Sequence, residues 1–238
     1  VGHNMKETLK RTLKLTFLTL FVTQIGISQS IEQFVTDTIK VDKENVPTDP
    51  NQAYFPKIMF PSYGIEFTYE GTKSVLIEGE YDDFSIEWYS EHLYKMKEPL
   101  LFNRKTDKEI FRFTWLRTFD KPIAIRIEKS KDDYWLYWKK LSGKGGYEPG
   151  ELITDRKKRI SENEWLSFQN LIKKADFWNM DYGQGVFGND GSQWILESVN
   201  STDYRVVDRW SPSEGTFYNA CDFLISLTNL NIKEKNKY

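Results

Sequence analysis

The chain is poor in cysteine and histidine, which excludes several classes of functional site. Among its 238 residues, Cys221 is the only cysteine, and the two histidines are His3 and His92. A single cysteine forms neither an internal disulfide nor a Cys-x-x-Cys redox motif. Because His3 precedes a hydrophobic N-terminal segment, only His92 remains for a metal site or a serine-type triad. We therefore expect no metal and no cofactor, and an enzyme is the less favoured class.

Long apolar runs are also scarce, and the clearest one lies near the N-terminus. Residues 15–27 are mostly apolar, and Ser28 and Ser30 follow in the small-x-small arrangement that a signal peptidase accepts. The run is shorter than the roughly 20 residues of a membrane span. We predict an export signal over residues 1–30, cleaved after Ser28 or Ser30, with an uncleaved membrane anchor as the alternative. The basic region that precedes the apolar run contains Lys6, Lys10, Arg11 and Lys14.

The chain has no strong excess of either charge, with 33 Lys and Arg against 35 Asp and Glu. Such a balance gives no overall attraction to nucleic acid or to anionic lipid. We expect no nucleic-acid partner, and membrane contact only through the export signal. A glycan or another protein remains as the partner class. An exported chain without a disulfide is typical of a bacterial envelope protein, so we expect a periplasmic or secreted location.

Aromatic residues are abundant, at 16% of the chain with eight tryptophans. Each large aromatic side chain buries roughly 150–250 Å², so such residues can build the core of a modest domain. Exposed aromatic rings also provide stacking surfaces for sugars or peptides. Core packing is the simpler interpretation for most of them.

The spacing of apolar residues predicts an α+β fold with an antiparallel sheet. Residues 31–60 are polar and interrupted by proline, which indicates an irregular linker before a single domain over 61–238. Two short strands are predicted within 65–80. Period-two alternation over 111–141, with short turns, predicts an antiparallel meander that has one buried face and one wetter face.

Three helices are predicted to pack on this sheet. The first begins at Asp82 or Asp83 and is closed by Pro99. The second begins with the reciprocal cap formed by Ser161 and Glu164 and ends near Asp176. The third covers residues 214–229.

Residues 190–212 are predicted to form a C-terminal hairpin that carries several charged side chains. If residues 200–203 form its loop, Glu197 faces Val206 and Asp208 faces Ile195. Glu197 and Asp208 then share one face as diagonal neighbours, roughly 7–8 Å apart. This separation overlaps the range for inverting glycosidases. A glycan-acting hydrolase that uses the two carboxylates as acid and base is therefore one hypothesis, and solvent-facing carboxylates are the simpler interpretation.

The opposite hairpin face places Trp194 across from Arg209, where a cation–π contact is expected. Arg205 lies on this face too, and Trp210 ends the second strand. We name Trp194, Arg205, Arg209 and Trp210 as candidate ligand-binding residues. Glycine-rich loops at 142–150 and 181–191 are expected to border them.

The segment from Arg112 to about Pro212 resembles a family of bacterial proteins of unknown function. The likeness is carried by the run Trp194-Ile195-Leu196-Glu197, by Tyr204, and by the run from Val207 to Pro212. It covers under half of the chain. The resemblance favours a single domain, and no activity or catalytic residue follows from it.

The sequence favours a non-catalytic exported module that binds a ligand or takes part in an envelope assembly. The export signal, the aromatic richness and the poverty of nucleophile–base pairs all point this way. The hydrolase is the first alternative. A purely structural protein that associates with itself is the second.

Overall fold

The computed structural model describes residues 29–69, 71–183, 188 and 190–238. The apolar run of the predicted export signal lies outside these residues. Within them the chain forms nine strands and three α-helices, with short 3-10 turns between. The bounds are β1 Gln29–Ser30, β2 Pro61–Thr68, β3 Gly71–Tyr81, α1 Asp83–Lys95, β4 Glu109–Arg117, β5 Ile123–Ser130, β6 Asp133–Leu141, β7 Leu152–Arg159, α2 Glu162–Ala175, β8 Ser192–Val199, β9 Asp203–Trp210 and α3 Thr216–Ser226.

Seven strands form one antiparallel sheet in the order β1-β9-β8-β4-β5-β6-β7, and β2 pairs only with β3. This confirms the predicted α+β class, with a meander from β4 to β7 and a C-terminal hairpin. Val199 faces Tyr204 and Glu197 faces Val206, so the predicted hairpin register is also confirmed. Since β8 pairs with β4, the hairpin stands beside the first strand of the meander.

The helix starts follow local signals in the sequence. The Asp82 side chain accepts the Ser85 amide at the start of α1. Ser161 and Glu164 form the predicted capping box at the start of α2. The third helix is shorter than predicted. Gly215 has a φ of 96°, outside the helical range, and the Thr228 hydroxyl donates to the Ile225 carbonyl beyond the last turn.

One face of the sheet packs against α2 and α3, and we call it the α2–α3 face. The large rings of Phe113, Trp115 and Trp194 are fully buried there. Phe168 from α2 and Leu224 from α3 close the same core. The period-two pattern of the strands and the apolar stripes of both helices predict this layer.

The other face was expected to be wetter, and this expectation is wrong. It is covered by α1, by residues 31–60 and by the segment after α1, and we call it the α1 face. Ile31, Tyr54, Phe60 and Leu101 are buried in this cover. Residues 31–60 have little regular structure, so no periodicity marks their apolar side chains as a layer. This cover does not extend over β7. Lys157, whose side chain lies on the α1 face of β7, is therefore exposed.

In the described ranges, the longest α-helix has 14 residues. No helix there is long and apolar enough to cross a membrane.

Candidate functional site

Trp194, the first predicted ligand-binding residue, lies in the core of the α2–α3 face. Its side chain is fully buried, and its ring centroid lies 5.0 Å from that of Trp115 and 5.1 Å from that of Phe113. Its indole nitrogen donates to the Ser192 hydroxyl over 2.9 Å. These contacts give Trp194 a packing role and leave no ring surface for a ligand.

Arg209 and Arg205 lie on the same face as Trp194 and are also buried. The Arg209 guanidinium lies over the ring of Phe217, at 5.6 Å, instead of over Trp194 as predicted. It donates to the carbonyls of Tyr182, over 2.9 Å, and of Asp181, over 3.1 Å. Arg209 therefore fixes the segment that leads into the 181–191 loop.

Glu197 is fully buried on the α1 face, where it binds Arg112. Its carboxylate accepts from Arg112 Nε over 3.0 Å, from Arg112 Nη2, and from the Tyr204 hydroxyl over 2.7 Å. Burial raises the pKa of Glu197, while Arg112 and Tyr204 oppose that rise. The carboxylate is thus the counter-ion of a buried arginine on the neighbouring strand.

Glu98 is a second buried carboxylate above the same face, supplied by the segment after α1. It accepts from Arg126 Nε over 2.8 Å, lies 3.2 Å from Lys139 Nζ, and lies 3.8 Å from Arg112 Nη1. Burial alone would raise the pKa of Glu98, but these three cations outweigh it and lower the pKa to about 2. Glu98 therefore joins the cations of three adjacent strands into one network.

The buried network was missed from the sequence, although one signal for it existed. Arg112 on β4 lies directly opposite Arg126 on β5, and Glu197 on β8 lies opposite Arg112. Two like charges facing each other across strands are unfavourable unless carboxylates compensate. The predicted meander places both arginines on its wetter face, so a compensating layer could have been inferred.

Asp208 lies on the same face, below α1. Its Oδ2 accepts from the Tyr89 hydroxyl over 2.7 Å, whereas Oδ1 has no hydrogen-bond partner among the described residues. Burial raises the pKa of Asp208 to about 7, although Tyr89 and Arg209 oppose it. Glu197 and Asp208 thus share a face as predicted, but each is bound to its own structural partner. The paired-carboxylate hypothesis gains no support from these contacts.

Trp210, the fourth predicted residue, separates from the other three and lines a surface groove. The groove has a volume of about 1220 Å³ and lies between α1 and the ends of β8 and β9. Its walls also include Gly146 and Tyr147 from the 142–150 loop and Gly188 from the 181–191 loop. The aromatic side chains of the lining are Phe84, Trp88, Tyr94, Tyr147 and Trp210.

Two glycine contacts hold the loops that form the groove. The Trp88 indole nitrogen donates to the Gly145 carbonyl over 2.8 Å. A β-carbon on Gly145 would lie 2.5 Å from the Arg117 amide nitrogen, so only glycine lets the loop approach the sheet so closely. A β-carbon on Gly191 would likewise lie 2.5 Å from the Trp210 ring.

Phe84, Trp88 and His92 follow one another at four-residue spacing along α1, and of these three only His92 is fully buried. Its Nδ1 lies 2.9 Å from the Trp88 carbonyl oxygen, and burial lowers its pKa. Phe84 is 73% exposed, and its ring centroid lies 5.9 Å from that of Trp88. The four-residue spacing places these side chains on one side of α1, where Phe84 and Trp88 line the groove.

The groove carries an acidic rim. Asp82, Glu87 and Glu91 line it, and Lys95 is the one basic side chain in the described lining. Across the described part of the chain, no group of three or more His, Cys, Asp and Glu side chains could hold a metal ion. The groove thus combines exposed rings with hydrogen-bond acceptors of mostly negative charge.

No protein-family model matches the chain, and no curated protein matches it either. The resemblance to a bacterial family therefore stays a prediction.

Replacing Glu197 by Gln should destabilise the fold. The variant leaves the buried Arg112 guanidinium without its nearest counter-ion, and breaking a buried pair costs about 3–5 kcal/mol. Urea unfolding followed by tryptophan fluorescence measures this loss. Glu32→Gln is the matched control, because Glu32 pairs with Lys105 at the surface, where water and salt screen the attraction, and its loss should change stability little. Equal stabilities of the two variants would contradict the structural role of Glu197.

Asp208 should make stability fall as the pH rises. Its pKa is about 7 when folded and near 3.9 when unfolded, so the folded chain binds the extra proton between these values. The contribution of Asp208 to the free energy of unfolding is then greatest at about pH 4 and below. It falls by at most about 4 kcal/mol as the pH rises to 7. Asp208→Asn should remove this component and be more stable than the wild type at pH 8. Unfolding at pH 5 and pH 8 tests it, and an unchanged pH slope in the variant would refute it.

Proposed function

We propose that the chain is an exported, non-catalytic binding module that holds a carbohydrate chain in the groove beside α1. The observation that carries this proposal is the set of aromatic rings left partly or largely exposed in one concave surface. Buried rings need no ligand to explain them. By contrast, Phe84 at 73% and Tyr147 at 58% exposure keep much of their apolar area in water.

Carbohydrate fits both the shape and the chemistry of the lining. The apolar C–H face of a sugar ring can pack on the neighbouring rings of Phe84 and Trp88, and its hydroxyls need hydrogen-bond partners around the edge. Asn51, Gln193 and the rim carboxylates supply such partners. A concave site with apolar walls and a few convergent polar groups is the usual form of a binding pocket.

The acidic rim narrows the class of sugar. Three carboxylates against one lysine repel uronic acids and sulfated or phosphorylated sugars. We therefore expect neutral or N-acetylated units. The two carboxylates of the hydrolase hypothesis do not line the groove, since Glu197 is bound to Arg112 and Asp208 to Tyr89 behind it.

Export belongs to the same proposal and is supported by the basic and apolar residues before Ser28. The first described residues, Gln29 and Ser30, pair with Asp203 and Tyr204 at the edge of the sheet. Ile31 donates its amide to the Thr202 carbonyl. Processing after Ser28 would preserve β1, whereas processing after Ser30 would remove it.

Titration calorimetry of the full chain with N-acetylglucosamine hexasaccharide and cellohexaose tests the groove. We expect saturable binding, weakened at least tenfold in Phe84→Ala/Tyr147→Ala, because two stacking surfaces are lost. Phe67→Ala is the control, since Phe67 is an exposed ring that does not line the groove. Binding that survives in the groove variant, or no binding of either sugar, would overturn the proposal. Release of reducing sugar would contradict a non-catalytic role.

A second candidate function is self-association through the hairpin formed by β2 and β3. This hairpin is a separate two-stranded sheet, and one of its faces exposes Ile65 and Phe67, the latter at 83%. We expect sedimentation velocity to show a concentration-dependent dimer. The substitution Phe67→Ser should dissociate it into monomers. Glu66→Ser, on the other face of the same strand, should leave it intact. A chain that is monomeric at all concentrations would exclude this function.

A further inference from the structure

A second cavity opens on the α1 face, where the cover stops short of β7. It has a volume of about 610 Å³ and lies between the 97–108 segment and strands β5 to β7. Eight basic side chains line it against three carboxylates, Glu44, Glu128 and Asp155. The basic residues are Lys43, Lys97, Arg104, Lys108, Arg126, Lys139, Arg156 and Lys157. This surface is unlike the acidic groove and the rest of a nearly neutral chain.

The sheet register concentrates positive charge along the cavity wall. Arg126 faces Tyr137, and Tyr137 faces Lys157, so one row of side chains crosses three strands. The Arg126 guanidinium lies over the Tyr137 ring at 4.2 Å. Lys139 follows on the same face of β6. Arg126 and Lys139 are buried and tied to Glu98, so this part of the wall is rigid.

The carboxylates nearby offset only part of this charge. Glu98 already serves three cations, and Glu128 binds both Arg126 and Lys108. The cations also act on one another. Burial lowers the pKa of Lys108, and Arg126 and Arg104 lower it further. An anion in the cavity would relieve this repulsion.

A charged edge strand alone needs no ligand, because such charges prevent sheets from pairing edge to edge. That explanation covers the exposed residues of β7. It does not cover Arg126 and Lys139, which lie on inner strands and are buried. Nor does it explain why Lys43 and Arg104, from two separate segments, line the same cavity.

We propose that this cavity binds a small polyanion that carries two or more phosphate or carboxylate groups. Its volume is that of a small-molecule site rather than of an extended surface. Arginine binds such groups through two parallel hydrogen bonds, and Arg104 lines the cavity together with Lys43 and Lys157. The site is separate from the carbohydrate groove, so either proposal can fail without the other.

Calorimetry and thermal unfolding of the full chain with tripolyphosphate, pyrophosphate and citrate test the site. We expect one saturable site that weakens as salt is raised. At a hundred times the dissociation constant, the melting temperature should rise by roughly 5–10 °C. Lys43→Glu/Arg104→Glu/Lys157→Glu should lose at least tenfold in affinity, because three walls of the cavity reverse their charge.

A matched variant distinguishes the loss of this site from a general effect of net charge. Lys121→Glu/Lys131→Glu/Lys158→Glu changes the net charge by the same amount at positions outside the cavity lining. It should bind within about twofold of the wild type. Equal loss in both triple variants, or no saturable binding by the wild type, would overturn the proposal. Binding of single-stranded DNA or heparin without binding of tripolyphosphate would also overturn it, in favour of a surface for polymers.

Discussion

The α1 face depends on one constraint, which is the burial of Arg112 in the middle of the sheet. An isolated buried charge would cost far more than the whole stability of a domain, so its neutralisation is obligatory. Glu197 supplies one carboxylate from β8, and Glu98 supplies another from the segment after α1. The covering layer thus contributes a counter-ion as well as apolar area. The segment after α1 is thus fixed to the sheet by ion pairs as well as by apolar contacts.

The same network produces the contrast between the two cavities. Arg112, Arg126 and Lys139 occupy three adjacent strands, and Glu98 reaches all three. Beyond Glu98 the cover ends, so the next row of cations faces an open cavity. At the other end of the face, α1 presents its acidic residues to the groove. One covering layer therefore leaves a basic site at one margin and an acidic aromatic site at the other.

Much of the fold could be predicted from the sequence because the signals are local. The capping box of α2 and the register of the β8–β9 hairpin depend on residues within a few positions of one another. The contact between Arg126 and Glu98 spans 28 residues, and that between Arg112 and Glu197 spans 85. No spacing rule links such pairs. The same holds for Trp194. Its position in the hairpin is compatible with an exposed stacking surface, and only the packing of α3, through Tyr218, shows that the ring is buried.

Of the four hairpin residues predicted to bind a ligand, only Trp210 reaches the groove, and the reason is strand parity. Trp194, Arg205 and Arg209 point to the α2–α3 face, whereas Trp210 points to the α1 face at its margin. Residues in the middle of the hairpin are buried on both sides because both faces of the sheet are covered. Ligand access is therefore confined to margins where a covering layer ends. Both proposed sites lie at such margins, one beside α1 and the other beside the 97–108 segment.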